Sequence, residues 1–284
     1  MPKSKFQLSL NRFFLKPSLL LLALLLLLLP KSAIANAIAD KDSGTPTPEA
    51  AAIPMNPTSE HSDPLNSPYP IPWNWVMTTH AEVTSTETTE LRYYRTPSLV
   101  SPGGEYAAYS RIQFQAQPEL PLSRISSIMF LENLKTGTLQ VITASSPLAN
   151  NPFDGNPEAQ LPGVITMLVP VSWSEMGDRL LARQFEGLFS SSTISDYAVI
   201  WNRHLNQTKT VAPVQVNYSH AVLLGWSENY GDRVLFRAGV LGDENWPMWA
   251  VHPDGKTLLA IDDRPQTFGR SVAEAWAGPQ AHYR

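Results

Sequence analysis

The sequence predicts an all-β domain made of repeated four-stranded antiparallel units. Residues 173–183 read Trp-Ser-Glu-Met-Gly-Asp-Arg-Leu-Leu-Ala-Arg, and residues 226–237 read Trp-Ser-Glu-Asn-Tyr-Gly-Asp-Arg-Val-Leu-Phe-Arg. With one residue inserted, eight positions are identical. A fainter copy begins at Ser101, and short apolar runs alternate with turn signals around all three copies. A motif that recurs along the chain is typical of a repeat architecture.

The N-terminal segment, residues 1–37, has the pattern of a signal peptide. Basic residues precede an unbroken apolar run, Leu19–Leu29, and small residues follow at 33–37. The run has 11 residues, whereas a helix that spans a bilayer needs about 20. We therefore expect an exported protein, periplasmic or extracellular, with contact to the membrane only if the segment is retained as an anchor.

Charge and cysteine content narrow the functional classes. Residues 1–37 hold five of the 21 basic residues and none of the 25 acidic ones, so the cleaved chain carries a net charge of −9. An acidic protein is a poor partner for nucleic acid or for an anionic membrane surface. The chain has no cysteine, which excludes disulfides, thiol catalysis and thiolate metal sites.

Residues 38–72 are predicted to form a disordered linker. The segment contains eight prolines, and proline removes backbone donors and disfavours both helix and central strand. The folded domain is then expected to occupy residues 73–284.

Each predicted unit contains two hairpins. The first strand leads into a tight turn where Gly104, Gly177 or Gly231 is expected to take a positive φ. The second hairpin has turn signals such as Lys135-Thr136-Gly137 and Pro253-Asp254-Gly255 between apolar runs. The inner strands are consecutively apolar, which indicates strands that are buried on both faces. Trp173 and Trp226 occupy matching positions beside the turn, which favours core packing.

Four-stranded units with buried inner strands suggest the blades of a small β-propeller-like stack. Ser101-Pro-Gly-Gly104, Trp226-Ser227 and Pro253-Asp254-Gly255 resemble the WD-like repeat of TolB-like β-propellers. The resemblance covers about residues 97–262, lacks a complete Ser-Pro-Asp-Gly in any copy, and implies blade architecture rather than an activity.

Three visible units do not close a ring, because propellers have about four to eight blades. A fourth unit is predicted from a hairpin, Val76–Val83 with Leu91–Arg95, joined by residues 264–284. An open stack and closure by oligomerisation are the alternatives, and a short capped helix starting at Ser271 would weaken closure.

Strand order places the regular turns at one end of the units and the longer, irregular loops at the other. Variable loops on a rigid scaffold more often carry recognition. The candidate partner or ligand contacts all lie in these loops: Glu119, Phe153, Asp154, Asp243, Glu244 and Trp246.

No catalytic or cofactor signature emerges from the remaining residues. Asp154, Asn156 and Glu158 alternate like calcium ligands, but they lack the complete pattern of a calcium loop. We therefore expect a non-catalytic, protein-binding module of the cell envelope without a cofactor. The alternative is a glycan- or small-ligand-binding protein, or a hydrolase, that uses the variable loops.

Overall fold

The computed structural model describes residues 63–149 and 161–273. The predicted signal peptide and the linker up to residue 62 lie outside the described residues. No helix among the described residues is long and apolar enough to cross a membrane.

The described chain is mostly β-structure, with one α-helix at its start. Helix α1 spans Trp73–Thr86, and a 3₁₀ turn spans Leu120–Leu122. The strands are β1 Glu90–Arg95, β2 Ser98–Val100, β3 Tyr106–Ala116, β4 Arg124–Asn133, β5 Leu139–Ile142, β6 Val164–Trp173, β7 Arg179–Leu188, β8 Ile194–Asn202, β9 Gln207–Val211, β10 His220–Ser227, β11 Val234–Gly239, β12 Met248–Val251, β13 Thr257–Leu259, β14 Pro265–Gln266 and β15 Arg270–Val272.

The three predicted units are present as antiparallel meanders. Unit 1 comprises β2–β5, unit 2 comprises β6–β9 and unit 3 comprises β10–β13, and consecutive strands pair within each unit. A parallel bridge between Ile125 and Ile165 joins units 1 and 2 into a ten-stranded sheet, while unit 3 belongs to a second, five-stranded sheet.

Consecutive units share buried cores. Units 1 and 2 enclose a cluster that includes Met129, Leu131 and Trp173. Units 2 and 3 enclose another that includes Leu181 and Phe236. The consecutively apolar inner strands therefore bury both faces, as their sequences indicate.

The fourth unit predicted from the two ends is wrong within the described residues. Residues 73–86 form α1, which buries Val76, Thr79 and Val83 at helical spacing. Strand β1 pairs with β3 and so extends the edge of unit 1. Neither a closed barrel nor a propeller is found in the part of the chain that the structure describes.

The C-terminal segment, residues 263–272, crosses the first strands of all three units. Strand β14 pairs with the end of β10, Phe268 bridges Trp173 of β6, and β15 pairs with β2. Ser271 therefore lies in a strand and does not cap a helix. This segment therefore links the three units through the first strand of each.

The predicted linker differs from the structure over residues 63–72. Leu65 and Ile71 are buried, and the Asp63 carboxylate accepts backbone hydrogen bonds from both of these residues. Asp63 also forms a salt bridge with the buried Arg183 of β7. Proline does not prevent order here, because a buried carboxylate supplies the acceptors that organise the segment.

Candidate functional site

The regular turns of the three units meet at one end of the molecule, which we call the turn end. Lys135 and Arg203, from the second-hairpin turns of units 1 and 2, both bind Glu105 in the first turn of unit 1. Arg179 donates to the Gly231 carbonyl oxygen of unit 3 at 2.8 Å. The predicted grouping of these turns is therefore confirmed.

A serine organises the first turn of every unit. Backbone N–H groups four and five residues on donate to Ser101 Oγ, and the same pattern recurs at Ser174. In unit 3, Ser227 Oγ accepts from Tyr230 N–H and donates to the buried Asp263. The residue inserted into the unit 3 copy of the motif therefore changes the hydrogen-bond partners of the serine in its first turn.

The φ angles of the turn glycines also separate units 1 and 2 from unit 3. Gly104 and Gly177 have φ of +68° and +69°, as predicted. Gly231 is absent from the positive-φ residues, so its prediction is wrong. The longer turn of unit 3 reaches its strand without a left-handed residue at this point.

The turn-end contact between units 1 and 2 is closed. A Cβ on Gly177 would lie 3.4 Å from Cδ of Pro102. Trp173 is fully buried, and its Nε1–H donates to the Leu99 carbonyl oxygen at 3.1 Å. Tyr106 of unit 1 packs against both Trp173 and Trp201 of unit 2, so aromatic side chains pack across this interface.

Between units 2 and 3 the corresponding space is an open cavity of about 250 Å³, which we call the inter-turn cavity. Its lining comes from the two copies of the Trp-Ser-Glu motif and from the C-terminal segment. The lining residues are Ser174, Glu175, Met176, Asp178, Arg179, Trp226, Ser227, Glu228, Gly231, Gln266 and Phe268.

Trp226 has a different environment from its counterpart Trp173. It is 3% exposed, yet its Nε1–H has no hydrogen-bond acceptor among the described residues. The Arg179 guanidinium lies 4.9 Å from the Trp226 ring centre. A buried N–H without an acceptor costs about 1–3 kcal/mol, and the Trp249 Nε1–H of the same unit is likewise buried without an acceptor among the described residues.

The two motif glutamates, Glu175 and Glu228, line the same cavity and are exposed. No hydrogen bond or ion pair involves either carboxylate within the residues that the structure describes. Asp178, by contrast, accepts from Ser174 Oγ at 2.6 Å and has Arg179 Nε at 3.9 Å. The cavity is thus lined by two glutamates without a charged partner in the described chain, and by the ion pair of Asp178 with Arg179.

The opposite end of the units, the loop end, holds the candidate contact residues predicted from the sequence. Glu119, Asp243 and Glu244 are exposed. Trp246 is half-buried against Gly239, and its Nε1–H donates to the Val240 carbonyl oxygen at 3.1 Å. The indole of Trp246 therefore has a structural role whatever else it contacts.

The other candidate residues of the loop end are not described. Phe153, Asp154, Asn156 and Glu158, including the calcium candidates, lie outside the described residues. Within the described chain, no hydrogen bond or ion pair joins Glu119 to the 243–246 loop.

A buried ionic cluster lies between these two ends. Arg183 is fully buried, binds Asp63 through Nη1 and Nη2, and donates from Nε to Asp196 at 2.7 Å. Asp196 also accepts from Leu223 N–H of unit 3. Burial raises the pKa of Asp196 to about 6, against the pull of Arg183. The cluster joins residues 63–72, unit 2 and unit 3, and sequence reasoning missed it because Asp63 and Arg183 are 120 residues apart.

A second cavity, of about 480 Å³, has no charged side chain in its wall. Its lining comes from residues 68–72, from β1 and the bend that follows it, and from β6, and includes Pro68, Tyr69, Tyr94, Pro97 and Pro170. Tyr69 is engaged with the chain, because its hydroxyl donates to the Leu224 carbonyl oxygen. This cavity offers apolar surface without a charged group to orient a ligand.

No family model matches this chain. Comparison with curated proteins and with solved structures likewise finds no match. The described residues contain no group of three acidic or histidine side chains that could hold a metal ion. The geometry of the inter-turn cavity therefore carries the functional argument.

Proposed function

We propose that this chain is an exported, non-catalytic module that binds another protein, and that a segment of the partner enters the inter-turn cavity. The cavity itself carries the proposal. It lies between turns that serine hydrogen bonds and glycine conformations hold in place. A preformed concave site on rigid elements is suited to recognition.

The architecture supports a scaffold of the propeller type. Three four-stranded units share cores between neighbours, and their turns resemble those of TolB-like β-propellers. We propose that the units are blades of an open stack, tied by the C-terminal segment. The apolar run at the N-terminus supports export.

A plug at Gly231 tests the proposed site. This glycine lines the cavity, and a Cβ built on it has no atom within 4 Å. We expect Gly231→Phe to fill the cavity, leave the melting temperature within about 2 °C of wild type, and abolish co-purification of the partner from the cell envelope. The matched control is Gly103→Phe, an exposed turn glycine of unit 1 without a positive φ.

Binding at the loop end would give the opposite result in the same experiment. If the partner or a small ligand contacts the variable loops, the double variant Asp243→Asn with Glu244→Gln should lose capture. Gly231→Phe should then retain it. A partner captured equally by wild type and Gly231→Phe would contradict the proposed site.

A further inference from the structure

We infer that the inter-turn cavity receives a lysine or arginine side chain of the partner, held between Glu175 and Glu228. The inference rests on the proposed function and adds the chemistry of the partner to it. Both glutamates are the third residue of a Trp-Ser-Glu motif, and the fold brings the two copies to one cavity.

The charge of the site favours a cation. Elsewhere at the turn end, acidic side chains have partners within the chain: Glu105 binds Lys135 and Arg203, and Asp254 binds Lys256. Glu175 and Glu228 have no such partner among the described residues. Since Asp178 and Arg179 offset each other inside the cavity, the two glutamates leave it with a net charge of −2. Complementary charge across an interface favours association with a basic segment.

The size and walls of the cavity favour one long side chain. Its volume of about 250 Å³ is below the range of about 300–1,000 Å³ that is typical of small-molecule sites. Met176, which is 85% exposed, lines the cavity together with Phe268 and Trp226. Lysine and arginine bury an apolar stem and keep the charged head near water, which suits a cavity whose lining combines these apolar side chains with two glutamates.

Trp226 contributes its ring to the lining of the cavity. Its Nε1–H is buried and has no acceptor in the described chain. The indole therefore offers the partner apolar surface rather than a hydrogen bond.

A series of short peptides that differ only at the central residue separates the contribution of charge from that of the apolar stem. Acetylated, amidated pentapeptides with alanine at four positions and lysine, arginine, norleucine or glutamate at the centre are titrated into the purified protein by calorimetry. We expect the lysine and arginine peptides to bind about 5-fold or more tightly than the norleucine peptide. The difference should shrink at high ionic strength.

Matched variants identify the carboxylates. Glu175→Gln with Glu228→Gln should remove the preference for lysine and leave norleucine binding unchanged. Both residues are exposed and lack a partner in the described chain, so the melting temperature should stay close to wild type. Asp243→Asn with Glu244→Gln removes the same charge at the loop end and should change nothing.

Three outcomes would overturn the inference. Equal affinity for the lysine and norleucine peptides would remove the role of charge, while partner binding at the cavity could still be shown by Gly231→Phe. Absence of binding by all peptides would reject a basic side chain as the occupant. Ca²⁺ binding that depends on Glu175 and Glu228, without a lysine preference, would make the site a metal site.

Discussion

The two interfaces between units use the same motif in different ways. Between units 1 and 2, Trp173 is fully buried, hydrogen-bonded to Leu99 and packed against Trp201. Between units 2 and 3, Trp226 lines an open cavity and its N–H has no acceptor among the described residues. The repeated motif therefore gives both interfaces the same arrangement of strands and turns. The candidate site lies at the interface where the environment of the motif tryptophan differs.

The interior of the second interface is also distinct. Arg183 and Asp196 lie there as buried charges, and Asp196 reaches the backbone of unit 3. The buried Arg183 cluster and the cavity at the turn end therefore distinguish this interface from the first. Substitutions at one interface can therefore be compared with matched substitutions at the other.

The largest effect is expected at the buried ionic cluster. Arg183→Met leaves Asp63 and Asp196 buried without their cation, and breaking a buried ion pair costs about 3–5 kcal/mol. Chemical denaturation should show a loss of that size. Arg203→Met, which removes an exposed ion pair with Glu105, should cost far less, because solvent screens exposed ion pairs. Similar losses for the two variants would contradict a structural role for the cluster.

The turn glycines provide the next comparison. Gly177 combines a positive φ with a close neighbour, because Pro102 Cδ lies 3.4 Å from the point that a Cβ would occupy. Gly177→Val should therefore cost about 1–3 kcal/mol through strain. Gly231→Val should stay within about 0.5 kcal/mol of wild type, because its turn imposes neither constraint. Equal melting temperatures for both variants would mean that the two turns are equivalent after all.

The paired tryptophans sharpen the comparison further. Trp173→Phe removes a hydrogen bond and leaves the Leu99 carbonyl oxygen without its donor, whereas Trp226→Phe removes an N–H that has no acceptor in the described chain. We expect Trp173→Phe to be the more destabilising, by about 1–2 kcal/mol. Urea denaturation of both variants checks this order, and a reversed order would show that the Trp226 N–H is satisfied in solution.

The pH dependence of stability is the smallest expected effect. Burial raises the pKa of Asp196 from 3.8 to about 6, so the folded state binds this proton more tightly than the unfolded state. Its contribution to stability is present at low pH and is lost as the pH rises from about 4 to 6. Asp63 behaves in the opposite way: burial alone would raise its pKa, but Arg183 and backbone N–H groups lower it. Its contribution is therefore lost only as the pH falls below about 4.

Asp196→Asn isolates the Asp196 contribution. Between about pH 4 and 6.5, the melting temperature of wild type should fall relative to that of the variant as the pH rises. The exposed Asp243→Asn provides the control and should run parallel to wild type. A constant difference between wild type and Asp196→Asn across this range would show that Asp196 does not titrate there.

The sequence was a good guide wherever the repeat itself determines structure. The three meanders, the grouping of regular turns and the burial of Trp173 and Trp226 follow from residue patterns that are local or repeated. Helix α1 was missed because valine and threonine favour strands. The spacing of Val76, Thr79 and Val83 was the available helical signal.

The cavity could not be predicted because it depends on the distance between units. The Trp-Ser-Glu motif is the same at 173–175 and 226–228, yet only the packing decides which tryptophan finds an acceptor. Asp63 was likewise assigned to a linker because its partner, Arg183, lies far along the chain. Local composition does not encode contacts of this kind.

The indole N–H resonance of Trp226 tests the central claim most directly. In a ¹⁵N-labelled sample, the resonance can be assigned by its loss in Trp226→Phe, and the lysine pentapeptide is then added. The account predicts a saturable shift of the Trp226 resonance, with that of Trp173 unchanged and no shift in the Gly231→Phe variant. A Trp226 resonance that does not move at saturating peptide, or that moves no more than that of Trp173, would contradict a binding site at the inter-turn cavity.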